Sequence, residues 1–143
     1  MKRAIPKRRL AALLYEFLDA IYLFQKKEEG LFGASWQDIF LLKRLADRGE
    51  LMVGEAAAEL RLPLFAASRA ITRLVEAGLV EKARRKGDGR VVRVRATAAG
   101  RALLKRVEDY QCDLINGNIG VLEGAEIESM VAAIGKLRSL LDI

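Results

Sequence analysis

The stretch from Gly54 to Ala96 constrains the fold of this chain most, because two short helical patterns flank a break and a pair of strands follows at once. Gly54 to Leu60 is rich in alanine, with Ala56, Ala57 and Leu60 expected to face inward. Small side chains there let a second helix approach closely. Arg61-Leu62-Pro63 breaks this helix, and the proline is well placed at the start of the next. From about Leu64 to Ala77 the apolar residues Ala67, Ile71, Leu74 and Val75 share one helical face, and Gly78 supplies the stop. Leu79 to Arg84 and Val91 to Ala96 are strand-like runs around Lys86-Gly87-Asp88-Gly89. Asp-Gly between such runs is a strong hairpin signal. In the second run Val92 and Val94 alternate with Arg93 and Arg95, leaving one face wet and basic.

Two short helices joined by a tight turn, the second with an apolar inner face, make a helix-turn-helix unit. A hairpin directly after it is a wing. The flanks are helical. Between Pro6 and about Glu28, the residues Leu10, Leu13, Phe17, Ile21 and Phe24 repeat at helical spacing, and Gly30 and Gly33 end the run. So long a stripe has to be buried, on its own domain or against a partner chain. Ser35 and Asp38 form a capping-box pattern ahead of a helix to about Asp47 that buries Ile39, Leu42 and Leu45, with Arg48-Gly49 as its stop. Glu50-Leu51-Met52 is a short extended piece. Thr97 caps a helix to about Asn116, with Leu103, Val107, Tyr110 and Leu114 on one stripe, and Asn116-Gly117-Asn118 reads as a turn. A last helix spans about Ala125 to Leu141, with Ile127, Val131, Ile134 and Leu137 on its stripe. The expected fold class is mainly α with a small β-hairpin wing (α+β), a winged helix-turn-helix domain with N- and C-terminal dimerisation helices. The single chain 1–143 divides into a winged-helix DNA-binding region at 35–97 and helical dimerisation regions at 5–30 and 98–143.

Composition narrows the chemistry. The chain contains no histidine, which removes the commonest general base and the commonest metal ligand. Its single cysteine, Cys112, excludes an intrachain disulfide and suits a reducing compartment. Asp109 and Asp113 nearby disfavour a thiolate, so Cys112 reads as a small, partly buried hydrophobe. No glycine-rich phosphate loop follows a strand, and no carboxylate cluster has metal-ligand spacing. The chain is therefore read as no enzyme, with no cofactor and no metal. The apolar runs at Leu10–Leu14 and Ile39–Leu42 are too short to span a bilayer, and no signal peptide is read, so a cytoplasmic location without membrane contact is expected.

The net charge is +6, and its placement says more than its size. Residues 61–95 hold ten Lys/Arg against three carboxylates, whereas 107–143 hold seven carboxylates against two basic residues. A basic middle between neutral or acidic ends fits one surface that meets phosphate, and a solvated charged loop fits it too. With Ile71, Leu74 and Val75 inward, Arg69, Thr72, Arg73 and Glu76 must point outward, with Ser68 at the edge. Arginine can donate two hydrogen bonds to guanine, and Ser or Thr can serve base or phosphate. The alternative for this face is solvent, with an Arg73–Glu76 ion pair. Lys82, Arg84, Arg85, Lys86, Arg90, Arg93 and Arg95 crowd the hairpin, with only Glu81 and Asp88 to offset them. Its narrow tip fits a minor groove, and its strand arginines fit backbone phosphates. Double-stranded DNA is the partner these residues favour; RNA or another protein bound without operator recognition is the alternative.

A family resemblance lies in the same residues. Leu60 to Val80 resembles the recognition helix of the MarR family of bacterial and archaeal regulators. Lys86-Gly87-Asp88-Gly89-Arg90 looks like that family's wing tip, which carries Asp-x-Arg, and Thr97-Ala98-Ala99-Gly100 is similar to the Thr-x-x-Gly opening its next helix. The resemblance implies a homodimeric transcription regulator, more often a repressor, on a palindromic operator. It implies Ser68, Arg69 and Arg73 at the major groove, Arg90 in the minor groove, and Asp88 orienting a neighbouring arginine. Many members bind small aromatic acids or sense oxidants, which implies a small-molecule effector, and Tyr15, Tyr22, Phe32 and Trp36 are the aromatics available for a pocket between helices. Aromatics at helical spacing also fit an ordinary core. The sequence departs from the family pattern at Phe65, large and apolar near the start of the recognition helix, and at Glu123, where a serine-like cap is usual. Pairing of two chains would double the bases read and would occupy the stripes Leu10–Phe24 and Ile127–Leu141; both stripes folding onto their own domain is the alternative.

Overall fold

A computed structural model describes residues 3–83 and 92–143 of the chain. In order they form α1 (Lys7–Phe32), α2 (Trp36–Arg48), β1 (Leu51–Met52), α3 (Val53–Glu59), α4 (Leu64–Glu76), β2 (Val80–Ala83), β3 (Arg93–Ala96), α5 (Ala98–Asn118), α6 (Gly124–Ile134) and α7 (Leu137–Leu141), with one 3-10 turn at Ile119–Val121. They group into two compact units, Met1–Val107 and Glu108–Ile143. Among the described residues no helix is long and apolar enough to cross a membrane.

In the first unit the core is built from α2 (Ile39, Leu41, Leu42, Leu45), α3 and α4 (Ala56, Ala70, Ile71, Leu74), the strands (Leu51, Val80, Val94, Ala96) and α5 (Leu103, Leu104, Val107). Ala56 and Ala70 are fully enclosed, so α3 and α4 approach through small side chains, as the alanine pattern predicts. The turn between them reverses on Arg61, a non-glycine residue at φ 51°. The N–H of Leu62 donates to the Ala57 carbonyl at 2.9 Å and that of Arg61 to Ala58 at 3.2 Å, which satisfies the last carbonyls of α3. Arginine in this region costs about 1–2 kcal/mol against glycine. Pro63 stands just ahead of α4 as its cap residue.

The strands form one antiparallel sheet in the order β1-β3-β2. Leu51 pairs with Val94, and Val80 with Ala96, so the apolar side chains of all three strands turn onto the helices. Arg95 faces Glu81 across the ladder, on the outer side. Among the described residues the wing strands are Val80–Ala83 and Arg93–Ala96, without Leu79 and Val92 of the expected runs, and the expected tip Lys86-Gly87-Asp88-Gly89 lies outside the described residues.

Where α4 gives way to β2, Gly78 takes φ 76°. The Thr97 hydroxyl donates to the Gly78 carbonyl at 2.6 Å and accepts from the Gly100 N–H at 3.1 Å, and the Thr97 N–H donates to the Leu79 carbonyl at 3.0 Å. Gly100 lies so close to the Leu79 carbonyl that an added Cβ would collide with backbone. This is the physical content of the Thr-x-x-Gly pattern.

α1 is a continuous helix through Gly30 and ends at Gly33, which takes φ 68°. Leu10, Leu13, Phe17 and Ile21 of its stripe are exposed, along with Leu14 and Leu18. In the second unit α5 runs on through Asn116-Gly117-Asn118, which form its last turn rather than the loop expected from their residue types. Poor helix formers cost least at a helix end, where carbonyls already lack helical partners. The expected final helix is two, parted at Gly135 and Lys136, where Lys136 N–H reaches only back to the Ala133 carbonyl at 3.1 Å. Glycine's entropic cost in a helix favours a break there. Glu123 starts α6, its N–H donating to Glu126 Oε1 at 3.0 Å, so the expected serine-like position is served by a pair of glutamates.

Two alanine substitutions separate these roles. Gly100→Ala is expected to lower stability by roughly 1–3 kcal/mol through overpacking. At Gly117 an added methyl meets nothing within 4 Å. There Gly117→Ala is expected to raise stability by no more than about 0.5 kcal/mol, since the position is helical but lies in the last turn. Urea unfolding followed by circular dichroism reads both, and a loss at position 117 would contradict the extended α5.

Candidate nucleic-acid interface

α4 turns Ala67, Ala70, Ile71 and Leu74 inward. The opposite side presents Phe65, Ser68, Arg69, Thr72, Arg73 and Glu76, all exposed. At about 100° per residue, Phe65, Arg69, Thr72 and Glu76 occupy the middle of that face, with Ser68 and Arg73 on its flanks. The outward set read from the sequence is therefore brought together.

Its members are held in different ways. Thr72 Oγ1 donates to the Ser68 carbonyl at 2.9 Å, so outward it offers lone pairs. The Arg69 guanidinium carbon lies 5.6 Å from the centre of the Phe65 ring. A cation over a ring face is attracted by the ring's quadrupole, an interaction that does not pair its N–H groups with an acceptor. Among the described residues Arg69 has no ion-pair or hydrogen-bond partner. Arg73 is different. Its Nη2 donates to Asp38 Oδ1 at 3.1 Å, and Asp38 is only 8% exposed. The sequence alternative of an Arg73–Glu76 pair is replaced by this contact between α4 and the first turn of α2. Asp38 was read from sequence as half of a capping box, and only half of that box forms. Its N–H donates to Ser35 Oγ at 3.2 Å, while its carboxylate turns to Arg73. No pattern along the chain joins residues 38 and 73; only packing does.

On the wing, Arg95 donates to Glu81 Oε1 at 2.7 Å and has Glu50 at 3.8 Å, so its charge is offset inside the fold. Lys82 is exposed and Arg93 half-buried. Arg84, Arg85, Lys86, Asp88 and Arg90 lie outside the described residues. Between α2 and α3, Glu59 accepts from Arg44 at 3.1 Å and Arg48 at 2.7 Å.

The four aromatics considered for a pocket do not converge. Tyr15 and Phe32 stand on the same continuous helix, about 25 Å apart along its axis. Phe32 and Trp36 pack against the core, while Tyr15 and Tyr22 are exposed. Cys112 is also exposed rather than partly buried, because it is offset from the Leu103–Val107 side of α5. Among the described residues no group of three or more carboxylates and thiols could hold a metal ion.

Comparison with known proteins bears on the same region. Residues 32–91 match the model of the MarR family. A search of curated proteins gives no match. Among solved structures, a MarR family protein from Bacillus stearothermophilus superposes with TM-score 0.74 at 24% identity, covering 97% of this chain and 100% of its own. The transcriptional regulator BldR from Sulfolobus solfataricus gives 0.68 at 23% identity, covering 97% and 99%. The reduced form of MarR from E. coli gives 0.71 at 21% identity, covering 95% and 98%. The fold of this chain is theirs.

The contact that sequence reasoning missed is measurable. A cycle of Asp38→Asn, Arg73→Ala and the double variant is expected to give a stability coupling of about 0.5–1 kcal/mol, modest because Arg73 is largely solvated. Coupling near zero in urea unfolding would show that Asp38 does not hold Arg73 in solution.

Proposed function

We propose that this protein is a sequence-specific DNA-binding transcription regulator, acting as a repressor, that binds a palindromic operator as a homodimer; the match of residues 32–91 to the MarR family model and the fold shared with solved MarR family structures support this reading. The observation that carries the reading is the outer face of α4, where Arg69, with no ion-pair or hydrogen-bond partner among the described residues, stands with Ser68, Thr72 and Arg73 on a helix whose other side is sealed into the core. Placed in a major groove, Arg69 donates in bidentate fashion to guanine, worth roughly 1–3 kcal/mol of discrimination. Ser68 and Thr72 serve neighbouring bases or phosphates, and Arg73, already tied to Asp38, contributes orientation and charge on the flank. Arg84, Arg85, Lys86 and Arg90 in the wing segment supply phosphate and minor-groove contact, with Asp88 orienting an arginine beside it.

Two copies pair through the apolar faces of α1 and the C-terminal helices. The support is exposure: Leu13, Phe17 and Ile21 of α1 and Val131, Ile134 and Leu141 of α6 and α7 are open to solvent in the single chain. Leaving such stripes uncovered is unfavourable by roughly 25 cal/mol per Å² of apolar surface. Pairing spaces the two recognition helices about 34–36 Å apart, one turn of DNA.

Selection from a random duplex pool is expected to return inverted half-sites about one turn apart. Binding should fall steeply with salt, by about 10³–10⁵ between 50 and 200 mM for a dimer with six to ten phosphate contacts. Arg69→Ala is expected to relax discrimination between operator and scrambled duplex about 10- to 100-fold, whereas Arg85→Ala weakens both alike and lowers the salt slope by about 1. Equal affinity for duplex DNA, duplex RNA and single strands would instead establish a non-operator module.

A further inference from the structure

On the outer face of α4, Phe65 is used by neither phosphate binding nor guanine recognition. Phe65 stands in the middle of that face, 64% exposed, with the Arg69 guanidinium carbon over its ring, 5.6 Å from the ring centre. Resting on the proposed operator binding, we propose that Phe65 reads the C5-methyl group of a thymine lying one or two base pairs from the guanine that Arg69 reads.

The chemistry favours this occupant over a protein surface. Beside the ring α4 exposes Leu64 on one flank and the hydrogen-bonding Ser68 and Arg69, with Thr72 farther along the same face. A protein docked on the phenyl ring would have to cover these as well, and desolvating an unpaired guanidinium is costly. A major groove offers acceptors to Arg69 and, beside them, the thymine methyl, which apolar side chains contact. The spacing also fits. Phe65 and Arg69 are four residues apart, about 6 Å along the helix axis, against about 3.4 Å between stacked base pairs. Cation–π attraction draws the Arg69 guanidinium over the ring without pairing its N–H groups, so the ring steers Arg69 while the methyl packs on the ring's open part. Phe65 thus acts twice: it contacts a base itself, and it holds the arginine that reads the next one.

Deoxyuridine lacks only the methyl group of thymidine, which gives a test. In the half-site recovered by selection, each thymine is replaced singly by deoxyuridine, and affinity is measured for the full chain. One thymine near the guanine is expected to show a loss of about fourfold, the transfer free energy of one buried methylene. Phe65→Ala should bind the thymine and uracil duplexes equally, and Phe65→Leu should keep part of the preference. Both variants alter an exposed side chain, and their circular dichroism should match that of the unaltered chain. Selective binding with no deoxyuridine-sensitive position, or with the same thymine-to-uracil ratio in Phe65→Ala, overturns this inference alone. Failure to select any duplex sequence overturns the operator reading beneath it.

Discussion

At the end of α4 the chain must turn back into β2, and it does so against the first turn of α5. Gly78 takes a left-handed conformation, its carbonyl is captured by Thr97, and the Leu79 carbonyl is captured by the Thr97 N–H. Gly100 lies against that second carbonyl with no room for a methyl group. One threonine and two glycines thereby join the exit of α4, the return of the hairpin and the start of α5. The consequence reaches the outer face. A helix held only by its apolar side can rotate or slide on a smooth alanine surface. A helix whose last residues are bonded to a strand and a second helix cannot. The side of α4 that carries Arg69 is thereby fixed from the C-terminal end of the helix.

The second determinant is how the charges are spent on one another. The segment 61–95 is strongly basic by composition, but several of its arginines and their neighbours are answered inside the fold. Arg95 faces Glu81 and Glu50, and Arg73 meets Asp38. Ahead of that segment, Arg44 and Arg48 share Glu59. Such pairs at partly exposed sites add little stability. They fix geometry, and they remove cations from the set competing for an anion. Arg69 is what remains on α4 with its donors uncommitted among the described residues. Local net charge locates the general region of an interface, whereas the pairing pattern identifies the residue that has kept its capacity.

The order and type of every element from α1 to α5 were legible in the sequence, because each rests on a local signal: the period of apolar residues, Ser35 at a cap, Gly33, Gly49 and Gly78 at stops. The inward and outward sides of α4 followed from the same period. The failures share a cause. Asn116-Gly117-Asn118 has turn composition, yet it sits in the last helical turn, where composition carries the least energetic weight. The final helix reads as continuous because its apolar stripe continues across Gly135, although the backbone does not. Asp38 satisfies a local pattern so well that its tertiary partner was hidden; its N–H does what the pattern says and its carboxylate does something else. Long-range side-chain pairs leave no trace in spacing, so the site was legible as a face and illegible as a set of constraints.

Exposure of apolar groups takes two forms in this molecule, and the contrast separates their meanings. Along α1 the open residues Leu10, Leu13, Phe17 and Ile21 form an unbroken stripe at helical spacing. Hydrophobic burial is roughly proportional to area and indifferent to direction, so a stripe calls for another extended apolar surface. Phe65, with Leu64 beside it, is a small apolar spot next to Ser68 and Arg69. Its area is too small to hold a partner chain, and its neighbours demand hydrogen-bond acceptors at fixed distances. A surface that combines one apolar contact with several directed polar ones selects among ligands without contributing much attraction of its own. The two faces therefore divide the work: continuous apolar area suits association with a like surface, and the small apolar spot beside donors suits discrimination.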